Sequence, residues 1–326
     1  MTASATHDVL GIGNAIVDVF AQTDDEFLNL NKMAKGGMSL IDTARAEALY
    51  RTMKDATEVQ GGSCGNTVAG VASLGGKAAY IGKVRDDALG WTFRHDIRAM
   101  GVTFDTPPAT EGPPTARSLI FVTPDAQRTM NTYLGACITL GPEDIDVQQV
   151  AGASVTYVEG YLWDPPRAKE AVRKAFAAAH AAGRKVSITL SDAFCVDRWR
   201  DEFNQLIHDE IDILFANESE ILSLYQVKTF DEALQRARAT GKIVALTRSA
   251  KGSVIVHHDE IHVVDAAKVA KVVDTTGAGD LYAAGFLYGY TRGKPLAECA
   301  RIGGIAAGEV ISHVGARPLV PLKTLI

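Results

Sequence analysis

One short stretch, Asp274-Thr-Thr-Gly-Ala-Gly-Asp280, runs into the apolar segment Leu281-Tyr-Ala-Ala-Gly-Phe-Leu287. Gly277 and Gly279 allow the backbone to approach a ligand closely, and the first N–H groups of a helix opening there have no partner within the helix. Such a helix start suits a phosphate. Asp280 falls in the first turn, where the helix dipole favours its ionised form. An ionised carboxylate beside a phosphate cradle can deprotonate an attacking hydroxyl. The spacing alone fits a plain Gly-rich turn with an acidic first-turn residue equally well.

Four other stretches carry candidate chemistry. Asn217-Glu-Ser-Glu220 follows a predicted strand and has the pattern of a helix capping box. Thr247-Arg-Ser249-Ala-Lys-Gly252 follows another predicted strand. In Gly11-Ile-Gly-Asn14-Ala-Ile-Val-Asp18, the Asp18 carboxylate can accept hydrogen bonds from two vicinal hydroxyls. A dinucleotide fingerprint is excluded there, because Ile16 occupies the third glycine position and no helical pattern opens; a Walker A loop is absent. Gly61-Gly62-Ser-Cys-Gly-Asn66 leads into a predicted helix. Leu40, Leu134, Tyr161 and Phe194 could wall a planar ring, although each also suits an ordinary core.

The elements that must position these residues differ between the two parts of the chain. From about residue 154, short apolar strands (Val155–Glu159, Val186–Leu190, Ile211–Phe215, Ile243–Thr247, Ser253–His257, Ile261–Val264) alternate with helices at Arg167–Ala182 and Arg198–His208. Two more helices begin at Ala278 and Pro295, and strand-like Val272–Val273 precedes the glycine motif. This alternation predicts an α/β class with a mostly parallel sheet covered on both faces. Earlier, a strand at Val9–Gly13 is followed by a polar passage over Gln22–Gly37 and a Pro-rich turn region at Pro107–Pro114. Ser118–Val122 and Arg128–Tyr133 predict an antiparallel ribbon through 123–127, which must pack over something to be stable.

The chain has 326 residues, with 33 Lys+Arg against 39 Asp+Glu, a formal charge of −6. That balance, with no basic cluster, argues against nucleic acid or an anionic membrane as the main partner. The four cysteines are scattered with no C-x-x-C pair, which disfavours zinc and a disulfide framework. No signal-peptide pattern and no apolar run of membrane length are visible, so a cytoplasmic protein is expected.

Taken in order, these stretches resemble the signatures of the ribokinase-like (PfkB) family of small-molecule kinases, over about Asp8 to Pro318. The resemblance implies a three-layer ribokinase-like α/β fold, with a central mostly parallel sheet and a small β lid. It further implies a single kinase domain over 1–326, the lid coming from about 16–42 and 103–136. Asp280 is then the expected catalytic base, with Gly277, Ala278 and Gly279 forming the anion hole. Asn14, Asp18, Gly61, Gly62 and Asn66 would hold sugar hydroxyls, and Thr247, Ser249, Gly252 and Asn217 the nucleotide. Ser249 stands where the family commonly has glycine. Asn217 and Glu220 would order Mg²⁺ through water, and backbone carbonyls at Asp274 and Thr276 could hold K⁺. The implied small-molecule partners are ATP and a nucleoside or sugar, for a monomer or homodimer.

Several segments are most similar to the adenosine-kinase branch of that family, among them Asn14-Ala-Ile-Val-Asp18, Asp212-Ile-Leu-Phe-Ala-Asn-Glu-Ser-Glu220 and Arg128-Thr-Met-Asn-Thr-Tyr-Leu-Gly-Ala. The branch uses a lid arginine on phosphate, which points to Arg128. The expected reaction is transfer of the ATP γ-phosphoryl to a ribose 5′-hydroxyl, as in purine salvage. The alternative is a sugar kinase of the ribokinase or fructokinase kind.

Overall fold

The computed structural model describes residues 5–125 and 127–326; Ala126, in the turn of the expected ribbon, and residues 1–4 lie outside the described residues. In chain order the strands are β1 (His7–Ile12), β2 (Ile16–Gln22), β3 (Met38–Leu40), β4 (Thr57–Gln60), β5 (Ala78–Ile81), β6 (Thr103–Phe104) and β7 (Ala116–Val122). There follow β8 (Arg128–Tyr133), β9 (Ala153–Glu159), β10 (Lys185–Thr189), β11 (Ile213–Asn217), β12 (Ile243–Thr247), β13 (Ser253–His257) and β14 (Glu260–Val264).

Nine strands form one sheet in the order β14-β13-β12-β11-β10-β9-β1-β5-β6. From β12 to β6 every neighbouring pair is parallel, and only the β12–β13 and β13–β14 pairs are antiparallel. Parallel neighbours need crossovers, and helices supply most of them here. Successive side chains on a strand face opposite sides, so each strand feeds two cores. Val9, Val155 and Phe215 join a core with helix Ala278–Thr291; Leu10, Val158 and Leu214 join the other, with helix Pro166–Ala181. The result is the helix–sheet–helix arrangement expected from the alternating apolar runs.

The second sheet has five strands in the order β3-β8-β7-β2-β4. On its far face Val17, Val19, Leu119 and Phe121 are buried with Leu28 and Leu49 from two short helices. Its near face carries two in-register rows, Asp18–Ser118–Thr132–Leu40 and Phe20–Ile120–Met130–Met38. The expected ribbon is the β7–β8 pair, antiparallel from Arg117↔Tyr133 to Val122↔Arg128.

Several expectations require correction. Thr57–Gln60 completes the small sheet beside β2, outside the stretches assigned to it from sequence. Thr103–Phe104 belongs to the large sheet beside β5, where the Phe104 ring meets Tyr80 and Phe93 with centroids 5.4 and 5.6 Å apart. Val272 and Val273 are not a strand; they are 53% and 39% exposed. The polar passage contains helix Asp25–Leu30, capped by the Asp24 carboxylate. The helix expected over Arg198–His208 is the second part of Ala193–Asp209, which kinks at Trp199. All four cysteines are buried and free. Among the described residues no helix is long and apolar enough to cross a membrane.

Candidate active site

The site collects at the carboxyl ends of the parallel strands, where open α/β sheets bind ligands. The turn after β1 carries Asn14, β9 ends on Glu159, β11 on Asn217 and β12 on Thr247. Two helices then start close together there, Ser63–Ser73 and Ala278–Thr291. Ser63 Oγ donates to Asp280 Oδ1 at 2.6 Å, and Asn66 Nδ2 donates to Asp280 Oδ2 at 2.9 Å. Burial holds the Asp280 carboxyl above the usual carboxylate range, while these two hydrogen bonds pull it back down.

Gly277 caps its helix at φ +78, and a Cβ there would lie 2.7 Å from Ala316. A side chain at Gly279 would meet open space. The start of this helix is therefore roomy and lined by N–H groups that a helix leaves unpaired. Arg128, from β8, reaches across to the same loop. Its Nη1 lies 2.6 Å from Asp274 Oδ2 and 3.3 Å from Thr276 Oγ1, and its guanidinium covers the Phe20 ring. Asp274 also accepts from Thr276 N–H, Thr276 Oγ and Gly315 N–H, so its side chain is fully committed. Any K⁺ held by Asp274 and Thr276 would have only their backbone carbonyls.

Asp18 faces Arg317, Arg128 and Asp280, which act on it through charge; burial raises its carboxyl to about 7. Gly61 is required beside it, because a Cβ there would collide with the Asp18 carboxyl group. The structure thus brings Asn14, Asp18, Gly61, Gly62, Asn66, Asp280 and the 274–279 loop to one cleft, with Arg128 at its edge.

Asn217 and Glu220 form the capping box: Asn217 Oδ1 accepts from Glu220 N–H, and Glu220 Oε2 accepts from Asn217 N–H, both at 2.9 Å. Glu220 is also within electrostatic reach of the site. Burial, then the like charges of Asp192 and Asp280, raise its carboxyl to about 7 against the Asn217 hydrogen bond. Thr247 pairs with Asn217 across β11 and β12, so the nucleotide candidates adjoin the capping box. Ser249 has φ +52, a left-handed conformation that glycine adopts more readily, which accounts for the glycine expected there. The four apolar candidates lie on four different segments. Leu40 and Phe194 are 56% and 77% exposed, Leu134 follows β8, and Tyr161 packs against the core opposite helix Ala278–Thr291.

Three residues that sequence reasoning missed complete the geometry. Ser63 lies inside the glycine stretch, where a serine at a helix start carries no signal of its own. Glu159 is buried, and accepts from Asn14 N–H and Asn14 Nδ2 on one oxygen and from Cys64 N–H on the other, at 2.9, 2.7 and 2.9 Å. It ties the β1 turn to the helix that presents Ser63 and Asn66; burial outweighs the three donors and raises its carboxyl to about 7. Arg317, near the C-terminus, donates from Nε to Asn66 Oδ1 at 2.8 Å. A single acidic residue closing a strand, or a lone arginine in an irregular segment, gives no pattern by which either could have been found.

Comparison with known proteins agrees with the fold. The profile of the pfkB family carbohydrate kinases matches residues 35–323. The crystal structure of adenosine kinase from Sinorhizobium meliloti is 58% identical, with a TM-score of 0.92 and 98% of each chain covered. A probable sugar kinase protein from Rhizobium etli CFN 42 is 56% identical, with a TM-score of 0.93 and the same coverage. Adenosine kinase 2 of Arabidopsis thaliana is 24% identical, over 97% of each chain.

Proposed function

The chain belongs to the pfkB family of carbohydrate kinases, and from that premise we propose that it is an ATP-dependent nucleoside kinase, with adenosine as its acceptor. It is a phosphotransferase acting on a hydroxyl group. The observation that carries the proposal is Asp280: a carboxylate oriented by Ser63 and Asn66 at a roomy helix start. Asp280 takes the proton of the ribose 5′-hydroxyl as its oxygen forms a bond to the γ-phosphorus and the bond to the β-phosphate oxygen breaks, leaving ADP. The N–H groups at Gly277, Ala278 and Gly279 receive the equatorial oxygens, and Arg128 at the cleft edge offsets their charge. The nucleotide lies along Thr247, Ser249 and Gly252, whose turn adjoins Asn217.

The buried Glu220 carboxyl suits Mg²⁺ through water rather than directly, since its two oxygens already accept from Asn217 N–H and Asn217 Nδ2. Glu220 and Asn217 would orient it through water. When bound with ATP, the ion would supply neutralisation of phosphate charge.

The nucleoside assignment is supported by the near face of the small sheet, which we take to be the lid. Beyond Asp18 it carries the apolar row Phe20–Ile120–Met130–Met38 and the exposed Leu40, surface suited to a nucleobase. The 58% identity to an adenosine kinase favours the same choice. The polar pair Ser118 and Thr132, whose hydroxyls are 3.0 Å apart beside Asp18, favours a sugar acceptor as the second reading.

An ADP-release panel with adenosine, inosine, guanosine, ribose and fructose tests the assignment. Adenosine is expected to give the highest kcat/KM, and a sugar exceeding every nucleoside would refute it. Asp280→Asn is expected to lose about 10²–10⁴ in kcat, the usual contribution of a positioned base, with KM for adenosine within a fewfold.

A further inference from the structure

Helix Ala88–Ala99 buries Phe93 and Ile97 in the core. Trp91, Arg94, His95 and Arg98 follow one another at i, i+3, i+4 and i+7, so they share one stripe of the helix. The Trp91 ring is 67% exposed and stacks on His95, with centroids 5.0 Å and planes 16° apart. An open cavity of about 580 Å³ runs along this stripe, lined also by Arg85 and Asp86 from the turn after β5. None of the residues of the cleft described above lines it. The turn is fixed: Arg85 N–H donates to Thr115 Oγ1 at 3.0 Å, and Asp86 N–H donates to Ala109 O at 2.9 Å. Arg98 is anchored by its Nε, which donates to Phe104 O at 2.9 Å, and its one acidic contact is the exposed Asp105 at 3.4 Å. Arg94 has no hydrogen bond or ion pair among the described residues.

The lining therefore sets three guanidinium groups against one carboxylate, in a chain whose overall charge is −6. A helix face that only meets water mixes its charges and pairs them three or four residues apart. This one instead carries an unpaired guanidinium beside a large aromatic ring left in solvent. Guanidinium groups bind phosphate through their forked N–H donors. The open face of an indole stacks on a nucleobase. Cavities of about 300–1,000 Å³ are the size that holds small organic ligands. A flat ring joined to a phosphate uses both features at once.

We propose that this cavity is a second binding site, apart from the catalytic cleft, for a nucleoside monophosphate. The base stacks on Trp91, and the phosphate is held by Arg94 and Arg98, with Arg85 on the same wall. The proposal does not depend on the acceptor, and it holds equally for a nucleoside kinase and a sugar kinase.

AMP is the probe. Equilibrium dialysis counts labelled AMP bound per chain in the wild type, Trp91→Ala and Arg94→Glu, and tryptophan fluorescence is followed in the same titrations. The wild type is expected to bind one AMP more per chain than Arg94→Glu, in which affinity at this site falls at least about tenfold. In Trp91→Ala that affinity should fall by about 5- to 150-fold, the range for stacking on an aromatic ring. AMP should quench the wild-type fluorescence, and the quench should be largely lost in Trp91→Ala. Both variants should keep a near-normal kcat, because neither residue lines the cleft. Equal numbers of AMP in all three proteins, or an undiminished quench in Trp91→Ala, would overturn the proposal. Association of the chain through this face would overturn it too; sedimentation would show that as a dimer lost in Trp91→Ala, with no extra AMP bound. If AMP does not enter the catalytic cleft, the expected count falls from one to none instead of two to one, so the difference between wild type and Arg94→Glu tests this site alone.

Discussion

Replacing Ser63 by alanine removes the shorter of the two hydrogen bonds that hold Asp280, the one at 2.6 Å. A hydrogen bond to a charged group contributes about 1.5–3 kcal/mol, and 1.36 kcal/mol corresponds to one pKa unit. The Asp280 carboxyl, already raised by burial, should therefore rise by roughly 1–2 units more. A base works only when deprotonated, so the acid limb of activity should move to higher pH by that amount. The profile to measure is kcat at saturating adenosine and MgATP, from about pH 5 to 9.5. In the saturated complex Asp18 is engaged by substrate hydroxyls, so its own titration does not overlay that of the base. On the acid side of both limbs the variant should be about ten- to a hundredfold slower than wild type, with the two converging to within a fewfold at the alkaline plateau. A limb that stays in place while the plateau drops would mean that Ser63 serves the fold and that Asp280 is not the ionising base.

Three further outcomes follow from single contacts. Ser249→Gly should stabilise the protein by about 1 kcal/mol, because a left-handed backbone costs a side chain that much; thermal melting should show a rise of about 2 °C, and a fall would refute the strain. Gly61→Ala forces the Asp18 carboxyl aside, and a misplacement of about 1 Å costs on the order of 10²; KM for adenosine should rise, and an unchanged KM would remove Asp18 from the ribose site. The carboxyls of Asp18, Glu159 and Glu220 are each raised to about 7 in the folded protein. Unfolded carboxyls titrate near about 4, so between those values the folded state binds more protons and these groups lose stabilising effect as pH rises. Asp18→Asn, which mimics the protonated form, should therefore raise the melting temperature at pH 8 and leave it nearly unchanged at pH 5; an equal shift at both would refute the sign.

The parts of this molecule that could be read from sequence are those whose cause is local. Alternating β-branched runs and helices past residue 153 fix the parallel strands because periodicity and burial are properties of a short window. The stretch Asp274–Asp280 declares itself because a turn, a helix start and an acid must be contiguous to work. Short or solvent-facing pieces were misjudged for a related reason. Thr57–Gln60 is only four residues long, with an exposed, polar composition, and is a strand only because β2 needs an edge partner. Val272 and Val273 look apolar enough to be a strand, but only Val273 N–H finds a backbone partner, in Ile311 O.

The electrostatics of the site were illegible because they are made by pairs far apart in the chain. Asp280 is oriented by Ser63 and Asn66, Asp274 is bound by Arg128, and Asn66 is held by Arg317. Each partner is an ordinary polar residue in its own neighbourhood, and only the packing of helix Ser63–Ser73 against Ala278–Thr291 and the reach of Arg128 from β8 to the 274–276 loop give it a role. The net charge of −6 is equally uninformative about the cleft. Acids at Asp18, Glu159, Glu220 and Asp280 surround it, and ATP adds more negative charge. Burial shifts these carboxyls toward neutrality, while Arg128, Arg317 and a helix start supply positive potential where phosphate must lie. Affinity for a polyanion is thus decided within a few ångströms, by where those few groups stand rather than by the overall charge.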